Sequence, residues 1–127
     1  MEIKLNSIMV DDQQKALEFY TEKLGFIKKQ DIPMGEYRWL SVVSPAAPDG
    51  TELVLEPIAF PPAHTFQMEL YKAGIPQTAL AAADVQAEFE KLRDCGVKFT
   101  TEPTDVGSTI IATFEDTCGN LIQLYQG

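Results

Sequence analysis

The chain has 127 residues, of which 45% are hydrophobic and 23% charged, a balance typical of one globular domain rather than of a disordered chain. Its 19 Asp and Glu residues outnumber 10 Lys and Arg, giving a formal net charge of -9. Because a field of that sign repels phosphate backbones and anionic lipid head groups, we expect neither nucleic acid nor a membrane as a partner.

The first residues and the cysteines indicate the compartment. No cationic stretch precedes an apolar one in residues 1–12, so we expect no signal peptide, and no run approaches the ~20 apolar residues that cross a bilayer. The two cysteines lack CxxC spacing, which favours a reducing cytoplasm over a disulfide scaffold. We expect Cys95 to be half-buried at a helix end and Cys118 to be exposed in a turn.

The first part of the chain predicts a strand, a helix and three more strands. Residues 2–10 form the first strand, which runs into an N-cap at Asp11-Asp12. Apolar residues follow helical spacing over 13–24, and Gly25 stands where a left-handed C-cap is favoured. Turn residues separate the three strands that follow. These strands are Phe26–Ile32, Tyr37–Val43 and Thr51–Glu56.

A proline-rich connector, residues 58–75, leads to a second part with the same order of elements. Within it, residues 65–72 predict a short helix, and connections this long are more often functional than idle. Asp84 caps the next helix and Gly96 ends it. The remaining predicted strands are Thr78–Ala83, Val97–Thr100, Thr109–Phe114 and Leu121–Tyr125. We therefore predict one α+β domain, 1–127, made of two βαβββ half-modules, about 1–57 and 76–127.

Alternation along the strands separates a core face from a second face. The core prediction comprises the aliphatic strand positions and the helical stripes. Its members are Ile8, Val10, Leu17, Phe19, Tyr20, Leu24, Leu40, Val42, Leu53, Leu55, Phe89, Leu92, Ile122 and Leu124. The second face mixes aromatic and polar side chains, including Tyr37, Trp39, Ser41, Glu52, Glu56, Gln123 and Tyr125. It is either the solvated side of an antiparallel sheet or the wall of a small-molecule pocket, and the aromatic residues favour the pocket.

Two stretches, VDDQQKALEFYTEKLGF (10–26) and FEDTCGNLIQLYQ (114–126), resemble the vicinal-oxygen-chelate superfamily, and TELVLEP (51–57) fits the end of its first half. This superfamily includes glyoxalase I, extradiol dioxygenases and bleomycin-resistance proteins. The resemblance spans essentially the whole chain. It implies curved mixed sheets around a cavity and a homodimer, while it leaves the function open.

Metal-dependent members take one ligand from the first and last strand of each half. Carried over by position, the resemblance places these ligands on Leu5, Val54, Thr78 and Gln123. Leucine and valine have no donor atoms, and a divalent catalytic site normally has at least three protein ligands. We therefore predict no metal and no cofactor at this position.

The remaining candidates each have two interpretations. His64, the single histidine, is either a general base or metal ligand, for which the sequence shows no neighbours, or a surface or pocket-rim residue without a special role. Glu52 and Glu56 are either a cation-binding or acid–base pair, or solvated strand-end carboxylates. Neither cysteine has an adjacent histidine to generate a thiolate.

The sequence thus predicts a protein that binds a small molecule, cationic or aromatic, and whose usual metal-ligand positions are mostly lost; the excess of acidic residues, with Glu52 and Glu56, would suit a cation. The predicted ligand contacts are Tyr37, Trp39, Glu56, His64, Thr78, Gln123 and Tyr125, with Phe60, Phe66 and His64 in the connector as a lid. The alternative is a metal-dependent enzyme of glyoxalase, lyase or dioxygenase type with an altered ligand set built on Glu56 and Gln123.

Overall fold

Eight β-strands and three α-helices form the computed structural model of the chain, which describes residues 1–127. The elements are β1 (Leu5–Val10), α1 (Gln13–Glu18), β2 (Ile27–Met34), β3 (Tyr37–Val43), β4 (Glu52–Pro57), α2 (Pro61–Lys72), β5 (Thr78–Ala82), α3 (Val85–Asp94), β6 (Phe99–Asp105), β7 (Ile110–Glu115) and β8 (Leu121–Gln126). A π-helical turn, Phe19–Lys23, directly extends α1. None of the helices is long and apolar enough to cross a membrane.

The chain divides into two compact units, Met1–Thr65 and Phe66–Gly127. Each contains one four-stranded sheet, with strand order β1-β4-β3-β2 in the first unit and β5-β8-β7-β6 in the second. In both sheets the first and last strands of the unit pair in parallel, and the other neighbours are antiparallel. The predicted α+β fold of two βαβββ half-modules is confirmed.

Both predicted helix caps are present. The carboxylate of Asp12 accepts a hydrogen bond from the Lys15 amide at 3.0 Å, and that of Asp84 accepts one from the Ala87 amide, also at 3.0 Å. Each bond satisfies a backbone donor that has no partner inside its helix. Gly96 ends α3 with φ +89°, a conformation that glycine adopts without the strain a Cβ would cause.

The helix predicted over 13–24 changes character after Glu18. The amide of Leu24 donates to the carbonyl of Phe19 at 3.2 Å, five residues back, which is the spacing of a π-helix. Two adjacent aromatic residues, Phe19 and Tyr20, are both buried in this turn, with their rings edge to face at 5.5 Å. Hydrophobic spacing does not distinguish such a wide turn from an α-helix.

The first core lies between α1 and one face of the first sheet. Most of the predicted residues are buried there, whereas Leu24 and Leu53 are half-exposed, contrary to the prediction. Gln13 joins the helix to two strands: its side-chain amide donates to the carbonyls of Arg38 (2.7 Å) and Leu55 (2.9 Å), and its Oε1 accepts from the Arg38 amide at 3.0 Å. These bonds fix the position of α1 over β3 and β4.

The second core centres on an aromatic stack. Phe99 lies 4.8 Å from Phe89 and 5.5 Å from Phe114, ring centre to ring centre, and the remaining predicted core residues of this unit are buried. The cysteine predictions were wrong, because Cys118 is fully buried in the turn before β8 and Cys95 is exposed.

Helix α2 begins at Pro61, four residues earlier than predicted. Its two N-terminal prolines suggested an irregular connector, yet the first turn of a helix needs no intrahelical amide donors and therefore tolerates proline. The boundary between the two units falls within this helix, after Thr65.

Candidate ligand-binding site

The register of the first sheet gathers polar side chains on the face opposite α1. Ser41 pairs with Gln30 on one side and with Val54 on the other, and Val54 pairs with Ser7. Paired residues point to the same side of a sheet, so these form one row. We call this surface the polar face. Its polar and aromatic members are Ser7, Gln30, Tyr37, Trp39, Ser41, Glu52 and Glu56, and the same register adds the apolar Leu5, Met9, Ile32, Met34 and Val54.

A chain of hydrogen bonds connects the indole of Trp39 to the carboxylate of Glu52. Trp39 Nε1 donates to Gln30 Oε1 at 3.1 Å, and Gln30 Nε2 donates to Glu52 Oε1 at 2.8 Å. The hydroxyl of Ser41, itself fully buried, donates to the same Glu52 oxygen at 2.6 Å. Together these bonds hold an aromatic ring and an acidic group in fixed positions on the half-exposed part of the face.

This arrangement favours the ionised form of Glu52. The hydrogen bond from Ser41, then that from Gln30, lowers the pKa of the Glu52 carboxyl below its usual value, and the charge of Lys29 adds to this, although partial burial acts in the opposite direction. Glu52 is therefore an acceptor-only carboxylate at neutral pH. Its second oxygen, Oε2, accepts no hydrogen bond from the chain.

Glu56 and Tyr37 lie on the same face, as the alternation predicted. Glu56 is half-exposed, and its Oε1 accepts a hydrogen bond from Ser7 at 2.8 Å. Tyr37 is exposed at the start of β3, where it pairs with Met34. The structure thus brings Tyr37, Trp39 and Glu56 onto one surface of the first unit, and it adds Glu52, Gln30 and Ser41 to them.

In the second unit, Gln123 and Tyr125 share a face, but Thr78 does not. Gln123 pairs with Ala79 and Thr113, whereas Thr78 pairs with Ile122, whose side chain is fully buried in the core. The expectation that Thr78 shares the face of Gln123 was therefore wrong by one residue. The preceding Gln77 holds the matching register position, since its amide donates to the Leu121 carbonyl at 2.8 Å.

His64 lies on α2 and is exposed, and its side chain makes no hydrogen bond or ion pair. Phe60 and Phe66 are also exposed. The predictions that His64 contacts a ligand and that this segment acts as a lid stay predictions.

The sequence reasoning missed a buried polar cluster in the second unit. Asp116 Oδ1 accepts from the amides of Cys118 (2.8 Å) and Asn120 (3.0 Å), and Oδ2 accepts from the Asn120 side chain at 2.8 Å. Gln67 Nε2 on α2 donates to the Cys118 carbonyl and to Asn120 Oδ1. Asp116 and Asn120 in the EDTCGN turn (115–120) were the available sequence signal for this cluster. No local feature of the sequence identified Gln67 as their partner.

Donor atoms for a metal ion are sparse. No three His, Cys, Asp or Glu side chains come together anywhere in the described chain, residues 1–127. Leu5 and Val54 occupy the two positions that the family resemblance assigns to metal ligands in the first unit. Both side chains are hydrocarbon and have no donor atom. Glu52 Oε1 already accepts two hydrogen bonds.

Comparison with known proteins places this geometry in a family. The model of the Glyoxalase/Bleomycin resistance protein/Dioxygenase superfamily matches residues 3–124. The uncharacterized protein YurT of Bacillus subtilis is 56% identical over 126 residues, covering 99% of both chains. A probable lactoylglutathione lyase of Synechocystis sp. is 31% identical, covering 94% of this chain and 90% of its own. The crystal structure of TnmS3, an antibiotic binding protein from Streptomyces sp. CB03234, matches with a TM-score of 0.78 at 32% identity, covering 98% of this chain and 94% of the other. The chain therefore belongs to the glyoxalase/bleomycin resistance protein/dioxygenase superfamily.

Proposed function

We propose that this protein binds a small organic molecule at the polar face of its first unit and does so without a resident transition metal. The observation that carries the proposal is the hydrogen-bonded series Trp39–Gln30–Glu52–Ser41. It holds an indole and a carboxylate in place before any ligand arrives, so little side-chain freedom is lost on binding. A few fixed polar groups beside an aromatic surface are the usual composition of a small-molecule site.

The donor set supports the metal-free part of the proposal. Zinc, nickel and iron sites normally use at least three nitrogen, oxygen or sulfur ligands from the protein. Leu5 and Val54 offer none, so the polar face supplies two carboxylates, Glu52 and Glu56, which is fewer than three ligands. The residues of the first unit therefore do not fit such an ion.

The similarity to TnmS3 supports a binding role, because that protein is described as an antibiotic binding protein. We propose sequestration of a comparable organic molecule here, with Tyr37, Trp39 and Glu56 as contacts. Gln123 and Tyr125 remain predicted contacts on the second unit, and His64 remains one on α2. Thr78 is no longer included, because it lies on the core side of its sheet.

The test is a ligand screen with EDTA present throughout. A compound that binds only the folded state raises its apparent stability by mass action, so binding appears as a higher melting temperature. Trp39 is the single tryptophan, and its fluorescence therefore reports directly on the polar face. We expect aromatic compounds that raise the melting temperature to change Trp39 emission. If every stabilising compound left Trp39 emission unchanged, the assignment of the polar face would be wrong.

A second candidate function is a metal-dependent lyase. It is favoured by the 31% identity to the probable lactoylglutathione lyase and by the coordinating side chains of Glu56 and Gln123. Such an activity would disappear on EDTA treatment and return with one divalent ion. Binding that persists in EDTA, together with no metal-dependent turnover of the hemithioacetal of methylglyoxal and glutathione, would decide against it.

We further propose that the protein is a cytoplasmic homodimer that binds neither nucleic acid nor membranes. Both sheets have edge strands, β1 and β2 in one and β5 and β6 in the other, and exposed edges are commonly covered by a partner. Light scattering should give twice the chain mass at micromolar concentration, and a monomer would refute the dimer.

A further inference from the structure

We infer that the polar face selects a planar aromatic cation, whose ring system stacks on the indole of Trp39 and whose protonated nitrogen donates a hydrogen bond to Glu52 Oε2. The inference rests on the proposed function and specifies its ligand class. It follows from the groups that the chain leaves available on this face.

The carboxylate is fixed through one oxygen and free at the other. Ser41 and Gln30 both donate to Oε1, at 2.6 and 2.8 Å, and Oε2 accepts nothing from the chain. The charge of Lys29 helps to lower the pKa of Glu52, but its ammonium donates to the Pro48 carbonyl at 3.1 Å and to Asp49 at 3.4 Å and forms no ion pair with Glu52. Glu52 is half-exposed, and no basic side chain contacts its carboxylate, so Oε2 is suited to accept from a donor that the ligand supplies.

The indole offers its ring rather than its N–H group. Because Nε1 donates to Gln30, no polar contact remains for it to make with a ligand. No other aromatic ring of the chain stacks on Trp39. An indole face that is half-exposed and unstacked attracts flat apolar rings and cations. The exposed Ile32, which pairs with Trp39 on the same side of the sheet, extends the apolar part of this surface.

A net charge of -9 attracts cations to the whole molecule. The experiment must therefore distinguish binding at Glu52 from attraction by the overall negative charge. Two probes share one planar ring system: 9-aminoacridine is a cation at neutral pH, and acridine-9-carboxylate is an anion. Two variants each remove one negative charge. Glu52→Gln alters the proposed contact, and Glu90→Gln removes an exposed carboxylate on α3, which accepts only from Gln86. Calorimetry in EDTA at physiological salt gives the Kd, and Trp39 emission gives the location.

Wild-type protein is expected to bind 9-aminoacridine with quenching of Trp39 and to bind acridine-9-carboxylate much more weakly. Glu52→Gln should raise the Kd for 9-aminoacridine roughly tenfold or more, the usual scale for one hydrogen bond to a charged group, while Glu90→Gln leaves it nearly unchanged. Equal weakening in both variants, or equal binding of the two probes, would overturn the inference. If the neutral acridone bound and quenched Trp39 while Glu52→Gln had no effect on 9-aminoacridine, the inference would fail and the proposed function would stand. If no probe and no screened compound bound, both would fail.

Discussion

The two units share their strand order and helix caps, and they differ in the side chains on the sheet face away from the core. In each, an aspartate caps the helix between the first two strands, and the sheet follows the same order. On the first unit the face away from the core carries Glu52, Gln30 and Ser41 in one network. The register matches these positions to Leu121, Thr101 and Thr113 in the second unit, where no carboxylate stands.

This difference shows which parts of a duplicated module are constrained. Caps, glycine turns and the apolar alternation determine whether the module folds, so they recur in both halves. The opposite face can vary because its side chains contribute less to the core. The network of Trp39, Gln30, Glu52 and Ser41 is therefore specific to the first unit, and the buried Asp116 cluster is specific to the second, where the carboxylate of Glu115 accepts from Tyr71 instead.

The largest expected effect tests the core of the second unit. Phe114 is fully buried and packs against Phe99. Phe114→Ala should lower the free energy of unfolding by about 3–5 kcal/mol, because it removes buried apolar surface and leaves a cavity. Urea unfolding measures the change. Phe60→Ala, at a side chain that is 67% exposed, is the control and should cost little. Similar costs for the two variants would show that the aromatic stack does not stabilise this unit.

The next prediction concerns the polar cluster that has no counterpart in the first unit. Asp116→Ala leaves three donors on Cys118 and Asn120 without this acceptor, so we expect a loss of about 2–3 kcal/mol in urea unfolding. Asp105→Ala removes an exposed carboxylate that accepts only from the Gly107 amide, and it should cost much less. If the two variants unfolded at the same urea concentration, the cluster would not be the anchor of this turn.

A smaller effect is expected at the start of α1. Gln13 and Val85 each follow the N-cap of their helix, so Gln13→Val makes the first unit resemble the second. The change leaves the Arg38 amide and two carbonyls without their side-chain partner, at a cost of about 1–2 kcal/mol. Gln14→Val controls for β-branching, because the hydrogen bonds that Gln14 makes with Glu18 and Arg38 are exposed to solvent and should contribute little. A Gln13→Val protein as stable as the Gln14→Val protein would show that these hydrogen bonds are dispensable.

The smallest effect depends on pH. Arg38 donates two hydrogen bonds to Asp31, and this lowers the pKa of the Asp31 carboxyl from 3.8 to about 2. A lowered folded-state pKa stabilises the protein above the unfolded value, and this contribution is lost as the pH falls through the folded value. The stability difference between wild type and Asp31→Asn should therefore be constant above about pH 4 and shrink towards pH 2. It should stay below about 1 kcal/mol, since the pair is near the surface. A difference that grew on acidification would contradict the assignment.

Local signals were sufficient to predict most of the fold. Asp12, Asp84 and Gly96 act within a few residues of their own position, and the alternation in β4 and β8 placed Glu52 and Gln123 on the correct faces. The repeated order of elements predicted the two half-modules. These features need no knowledge of distant residues.

The features that were missed depend on register or on distant partners. A shift in pairing between Lys28 and Gln30 sets the position of Gln30 opposite Ser41, and no composition signal marks such a bulge. Thr78 was assigned to the wrong face because alternation shows which residues of a strand share a face, but not which face that is until the pairing with the neighbouring strand is known. Gln67 donates to Cys118 and Asn120, which follow it by 51 and 53 positions in the sequence. A single glutamine in a sequence does not indicate which distant residues it will contact.

We propose that the polar face binds its ligand without a resident transition metal. Elemental analysis of untagged protein, purified without chelators, tests it most directly. We expect far less than one equivalent of zinc, nickel, manganese or iron per chain and an unchanged melting temperature after EDTA treatment, because Leu5 and Val54 supply no ligands. A stoichiometric transition metal that is lost in Glu56→Gln and Gln123→Leu variants would contradict the claim and favour the lyase.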